Sequence, residues 1–223
     1  MKRGQGAGGA AARDSPSTGS GRPKRAAAGP EAKAGYSVPS VLAAIREAQK
    51  TDYQRALREI RGGRKSTHWI WYVWPTLATI RPRTSRPMYL LPGIAGAEAL
   101  LLDAMLRQRL VEITTVAVQH LESGTAAHAL FGSRTDAVKF VECCTVFAVV
   151  SACMLLRLQG EDSTEGEVAV LREVFLLFCR CLIVAKNPEV MSDTLKGLLH
   201  AGAAATVCAV TTPTELLEMF AGR

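Results

Sequence analysis

Residues 63–77 read GRKSTHWIWYVWPTL and place all 3 tryptophans of the chain within six positions, just after an Arg-Lys pair and a histidine. Arg64 offers a planar fork matched to phosphate or carboxylate, and Lys65 a compact point charge. His68 carries the side chain whose ordinary pKa lies nearest neutrality, which suits a general acid or base. Trp69 or Trp71 could stack on a flat ligand while the cations hold its anionic part. The other reading is packing: indoles anchor a short central helix in the core, each N–H finding a partner. Both hold if one side of the helix packs and the other lines a recess.

Farther along, Asp136 and Lys139 stand three apart, a spacing that most simply makes a surface ion pair on a helix. They could also approach the Lys65–His68 segment across the fold. Arg64, Lys65, His68, Trp69, Trp71, Asp136 and Lys139 therefore form the candidate ligand-binding set, with His68 as the best candidate for catalysis. The ligand expected is small and anionic, phosphorylated or nucleotide-like. Metal chemistry is not expected. His120 and His128 lie eight apart without a further carboxylate or thiol at ligand spacing, and Cys179-x-Cys181 puts two thiols on opposite sides of a helix. His200 sits near a helix end, where a cation is favourable. The chain holds no P-loop, G-x-G-x-x-G, G-x-S-x-G or H-E-x-x-H, so no cofactor is expected either. Whether the protein is an enzyme stays open at this level.

The elements that must position these residues read as helices. Trp69, Trp71 and Trp74 fall at i, i+2 and i+5, about 160° and 140° apart on a helix of roughly 3.6 residues per turn, so no single stripe holds them. If Ser66 or Thr67 caps a short helix ending at Pro75, Ile70, Val73 and Trp74 share one side, and free N–H groups at its start would suit an anion. Upstream, Val41, Leu42 and Ile45 mark an apolar face. Thr51-Asp-Tyr-Gln54 has capping-box spacing, followed by Tyr53, Ala56, Leu57 and Ile60, and Gly62-Gly63 stop the helix. Residues 75–93 carry four prolines and three arginines and read as a loop. A long helical pattern runs from Ala95 to Leu121 and ends at Gly124. Ser133-Arg-Thr-Asp136 opens the next helix, and residues 160–167 form an acidic linker. A helix follows from about Val168 to Ala185; Asn187-Pro188 opens another, and Thr212-Pro-Thr-Glu215 a short last one. Thr206–Thr211 is the one short strand candidate. The expected fold is all-α, a single domain of about six to eight helices over residues 38–223.

The run Tyr53, Ala56, Leu57, Glu59, Ile60, Gly63, Lys65, His68, Trp69, Trp71, Pro75 resembles the signature of the family known as domain of unknown function 1810. In that family the segment reads Y-x-x-A-L-x-E-L-x-x-G-x-K-x-S-H-W-M-W-F-x-F-P-Q-L. Tyr89, Glu98-Ala99, Arg109-Leu110, Phe131-Gly132, Asp136, Lys139, Thr145, Phe147 and Asp193-Thr194-Leu195 follow in the family's order, so the resemblance covers about residues 40–198. It implies an all-helical domain and brings no established activity with it. The sequence departs from the pattern at Thr76, where glutamine is expected. A glycine-rich turn is replaced by Ala78-Thr79-Ile80-Arg81, and a pair of serines by Glu142-Cys143. The stretch 160–167 reads as an insertion. These departures bear on whether a polar site of the family would survive here.

Composition supplies the frame. Hydrophobic residues make up 48% of 223, enough for a substantial core. The net charge of +7 is uneven: residues 1–35 hold seven bases against two acids, which leaves +2 for the remainder. Residues 1–37 are mostly Gly, Ala, Ser, Pro, Lys and Arg and cannot bury enough surface to offset ordering, so a disordered basic tail is expected. Its Arg22-Pro23-Lys24-Arg25 cluster could contact polyanions weakly or act as a nuclear import signal. A mitochondrial address is disfavoured by the absence of Leu or Phe for an amphipathic face. All 6 cysteines sit mostly in apolar helical runs without disulfide spacing, which suggests a reducing, intracellular setting, cytoplasmic or nuclear. The uncharged run Cys143–Leu156 is short of the roughly 20 residues needed to span a bilayer, so no membrane partner is expected. Two functional readings follow. One is a noncatalytic binding or interaction module; the other is a small-ligand-binding protein or enzyme with His68 as acid or base.

Overall fold

The structure, a computed structural model, describes residues 36–158, 164–210 and 212–219. The expectation of a disordered tail over residues 1–37 falls almost wholly outside them. Among the described residues there are ten α-helical stretches, one 3-10 turn and no strand, so the domain is all-α. Six helices are ten residues or longer: α1 (Val38–Arg61), α3 (Gly93–Leu102), α4 (Ala104–Glu122), α6 (Arg134–Leu158), α7 (Glu165–Ala185) and α8 (Pro188–His200). The short ones are α2 (Ile70–Val73), α5 (Ala127–Leu130), α9 (Ala205–Cys208) and α10 (Pro213–Glu218).

α6 is the central column. Every residue from Lys139 to Leu155 is buried, which fits a helix apolar on all sides. α7, α8, α3, α5, α9 and α2 pack around it. It is long and apolar enough to cross a bilayer, but its most apolar window is 94% buried inside the domain. Its two buried hydroxyls turn back on the helix: Thr145 donates to the Val141 carbonyl at 2.9 Å and Ser151 to the Phe147 carbonyl at 2.5 Å. That satisfies them without outside partners. On the other flank α1 packs on α4, α2 and α3, and α4 also meets α7.

Local punctuation explains most boundaries, and four expectations are corrected. Thr51 starts no helix: α1 runs unbroken from the Ser37 cap to Gly62, with Ile45, Gln49, Tyr53 and Ala56 on one buried face. A capping box acts only where backbone N–H groups lack helical partners, and here they have them. The pattern from Ala95 to Leu121 is two helices. Asp103 leaves the helical region (ψ 107) and caps α4, accepting from the Leu106 N–H at 2.9 Å, while Arg46 pairs with it. The strand candidate fails because Thr206, Val207 and Cys208 lie in α9, and an isolated strand has no neighbour to pair with in a helical domain. α7 begins three residues early, at Glu165, because Thr164 and Glu167 form a capping box. Ser133, Asn187 and Thr212 cap as their spacing implies.

Candidate functional site

The tryptophan stretch is a loop, residues 64–69, leading into the single turn of α2. Neither Ser66 nor Thr67 caps that turn; Trp69 precedes it without a side-chain cap. Both residues serve Glu59 instead. Its carboxylate accepts from the Ser66 N–H at 2.7 Å, the Thr67 N–H at 3.1 Å, the Thr67 hydroxyl at 2.6 Å and the Trp69 indole at 2.8 Å. Burial alone would raise the Glu59 pKa, but the bonds from Thr67, Ser66 and Trp69 outweigh it and lower it to about 2. Glu59 was visible in the sequence only as one residue of the family signature. Its place in the last turn of α1 is what aims it under the loop.

A second anchor comes from the opposite side. The Lys65 N–H donates to the Leu130 carbonyl at 2.7 Å, which docks the loop on the turn between α5 and α6. Gly132 in that turn has φ +73, and a Cβ there would stand 2.5 Å from the Lys65 carbonyl oxygen. Only glycine permits both the left-handed backbone and this approach. Gly63 (φ +77) makes the turn out of α1 beside the His120 ring.

With the loop so placed, the Lys65 ammonium reaches the Asp136 carboxylate at 2.5 Å. Lys139, one turn along α6, takes the other oxygen at 2.9 Å. The Lys139 ammonium also lies 3.8 Å from the centroid of the Trp71 ring, and that of Lys65 lies 5.3 Å from the Trp69 ring. Both are cation–π geometries. Lys65 is 6% exposed and Lys139 8%. Burial works against the charge of Asp136, but the two ammonium groups outweigh it and hold its pKa below the ordinary carboxylate range. Asp136 and Lys139 are thus no surface pair; they meet the Lys65 loop across the fold.

One further turn along, Glu142 accepts two bonds from Arg81, at 2.6 and 3.0 Å. Burial pushes the Glu142 pKa up, against the pull of Arg81 and Lys139. Asp136, Lys139 and Glu142 lie at i, i+3 and i+6, on one face of α6. Arg81 and Glu142 come from segments sixty-one residues apart in sequence. Near Arg81 in sequence, the Thr76 hydroxyl is buried without a hydrogen-bond partner among the described residues. The cluster then contains three cations (Lys65, Arg81, Lys139) and two carboxylates (Asp136, Glu142), one positive charge in excess.

The remaining candidates divide. Trp69 is 0% exposed and packs at 5.5 Å from Trp74, so its ring cannot meet a ligand from solvent. Trp74 donates to the Thr114 hydroxyl at 2.9 Å and stands edge-on to Phe131 and Phe140. These two indoles have the packing role. Trp71 is half-buried. Arg64 and His68 are exposed on the same loop, and no described residue hydrogen-bonds the His68 ring. Cys143, Cys144, Cys179, Cys181 and Cys153 are buried free thiols, and no group of three or more His, Cys, Asp or Glu among the described residues could hold a metal ion. His200 meets the Lys196 carbonyl at 2.6 Å in the last turn of α8, as a helix-end residue should.

Among solved structures, the chain is similar to the conserved hypothetical protein Rv1873 from Mycobacterium tuberculosis, known from a crystal structure at 1.38 Å. The identity is 23% and the TM-score 0.43, covering 75% of this chain and 94% of that one. No curated protein matches. The model of a family described as a protein of unknown function (DUF1810) matches residues 39–157, which spans more than half the chain and every residue of the cluster around Asp136. The chain belongs to the DUF1810 family.

Proposed function

We propose that the domain is a noncatalytic binding module that takes a small anionic ligand at Trp71 and Lys139. One observation carries the reading: two nearly buried ammonium groups share the single carboxylate of Asp136. Buried charge is tolerated when it is balanced, and a cluster one negative charge short favours an anion that supplies it. Trp71, half-buried with an ammonium on its ring, adds an aromatic surface for a planar group beside that anion. Arg64 and His68 stand on the same loop as exposed groups that would meet the ligand's outer part. An acid–base role for His68 has less support, since no described residue orients its ring.

The test is a titration of the full chain by calorimetry and tryptophan fluorescence against inorganic phosphate, pyrophosphate, nucleotides and sugar phosphates. Binding should quench or shift Trp71 emission, and Lys139→Met or Trp71→Leu should weaken it at least ten-fold while the fold melts cooperatively. No response from any compound at millimolar concentration, or full affinity in Lys139→Met, would refute the proposal. The basic residues of 1–35 are proposed to add polyanion affinity that falls with salt. If removing residues 1–37 leaves retention on an anionic polymer column unchanged at low salt, that addition is wrong.

A further inference from the structure

A cavity lies near the C-terminal end of α6, where α3 breaks into α4. Asp103 ends α3 and caps α4, and this leaves Leu102 at 69% exposure. The cavity, of about 380 Å³, lies beneath it between that junction, the end of α6 and the start of α7, with Leu102, Met154, Val170 and Leu171 in its walls. Its size is within the range of small-molecule sites. Val170, on the opposite wall, is 38% exposed. Large aliphatic side chains on both lips of one opening are costly to leave in water.

Among the described residues, two charged side chains line the cavity, Arg107 and Glu167. Glu167 is committed to its capping box, accepting from the Thr164 hydroxyl at 2.9 Å. Arg107 donates one bond, Nη1 to the Leu101 carbonyl at 2.5 Å, which fixes the guanidinium at the α3 terminus. No carboxylate among the described residues pairs with it. A guanidinium carries five donors in a fixed fork, and the Leu101 carbonyl takes one of them.

We propose that this cavity binds a free monocarboxylic acid with an unbranched apolar tail. The tail lies between Leu102 and Val170, and the carboxylate takes the open side of the Arg107 fork. The inference does not depend on the anion site at Trp71, which no residue of this cavity touches in the contacts described.

The test is calorimetry of the full chain with the homologous acids from hexanoate to decanoate, each kept below its micellar concentration, beside decanol. Affinity should rise about four-fold per methylene, the equivalent of about 0.8 kcal/mol. Arg107→Gln should cost decanoate at least ten-fold and leave decanol unchanged. Val170→Asp, which charges the far lip, should weaken the acid and the alcohol alike. Melting curves confirm that the variants fold. Affinity indifferent to chain length, an equal loss for decanoate and decanol in Arg107→Gln, or no heat with any acid would overturn the proposal.

Discussion

Replacing Glu59 isolates the device that holds the loop of the candidate site. Four hydrogen bonds end on its carboxylate, and one of them satisfies the indole of a fully buried tryptophan. Glu59→Ala strands that N–H, at about 1–3 kcal/mol for a buried unsatisfied donor. It also releases the Ser66 and Thr67 bonds, which are nearer solvent and contribute about 0.5 kcal/mol each. The sum is about 3 kcal/mol, or about 6–12 °C in Tm for a domain of this size. Glu59→Gln keeps an oxygen where the three N–H groups converge and turns its amide toward the Thr67 hydroxyl, which can accept. It loses only the charge assistance, about 1 kcal/mol, or about 2–4 °C. Urea unfolding followed by tryptophan fluorescence measures both. The two variants should also part with pH. The folded pKa of Glu59 is depressed from 4.5 to about 2, so its contribution is present above about 4.5 and is lost as pH falls toward 2. The advantage of the natural chain over Glu59→Gln should therefore be full at neutrality and shrink across that window. Equal losses in the two variants, or an alanine cost under 1 kcal/mol, would show that the carboxylate is not what holds the loop.

Other expectations follow from single features. Gly132→Ala combines a left-handed backbone with a 2.5 Å approach to the Lys65 carbonyl, and should cost about 2–4 kcal/mol and weaken phosphate binding with it. A cost below 1 kcal/mol by urea titration would mean that the turn yields freely. Thr76→Val removes a buried hydroxyl without a partner and should raise stability by about 1 kcal/mol; a loss of that size would reveal a partner. Of the six thiols, five are buried and Cys208 is half-buried, with burial and its neighbour Cys153 pushing its pKa up to about 11. No more than one equivalent should react with an aromatic disulfide reagent in the native protein at pH 8, and six in denaturant. Two or more fast equivalents would contradict the burial of the α6–α7 seam.

Much of this was legible in the residues. Gly62-Gly63, Asn187-Pro188 and Thr212-Pro-Thr-Glu215 mark helix ends because capping and positive φ are local needs that few side chains meet. The apolar run around Phe147 marks a buried column for a similar reason: its composition leaves no polar face to turn to water. The candidate cluster was half legible. Lys65, Asp136 and Lys139 stood out by charge and spacing, but Glu59 appeared only as one residue of the run that resembles the family signature. Thr51-Gln54 and Asp103 show the limit from the other side: a capping spacing without a chain break, and a chain break inside an apparently continuous pattern.

What the amino-acid sequence determined by itself was the helical class and several helix termini, because these follow from backbone geometry and side-chain chemistry within a few positions; it also named the candidate residues for an anion. Tertiary structure alone decided that Trp69 is sealed in while Trp71 is not, that Lys65 and Lys139 share one carboxylate, and that Arg81 finds Glu142. Those outcomes depend on contacts between segments about sixty or seventy residues apart, and no local preference encodes which of two nearby indoles will face the core.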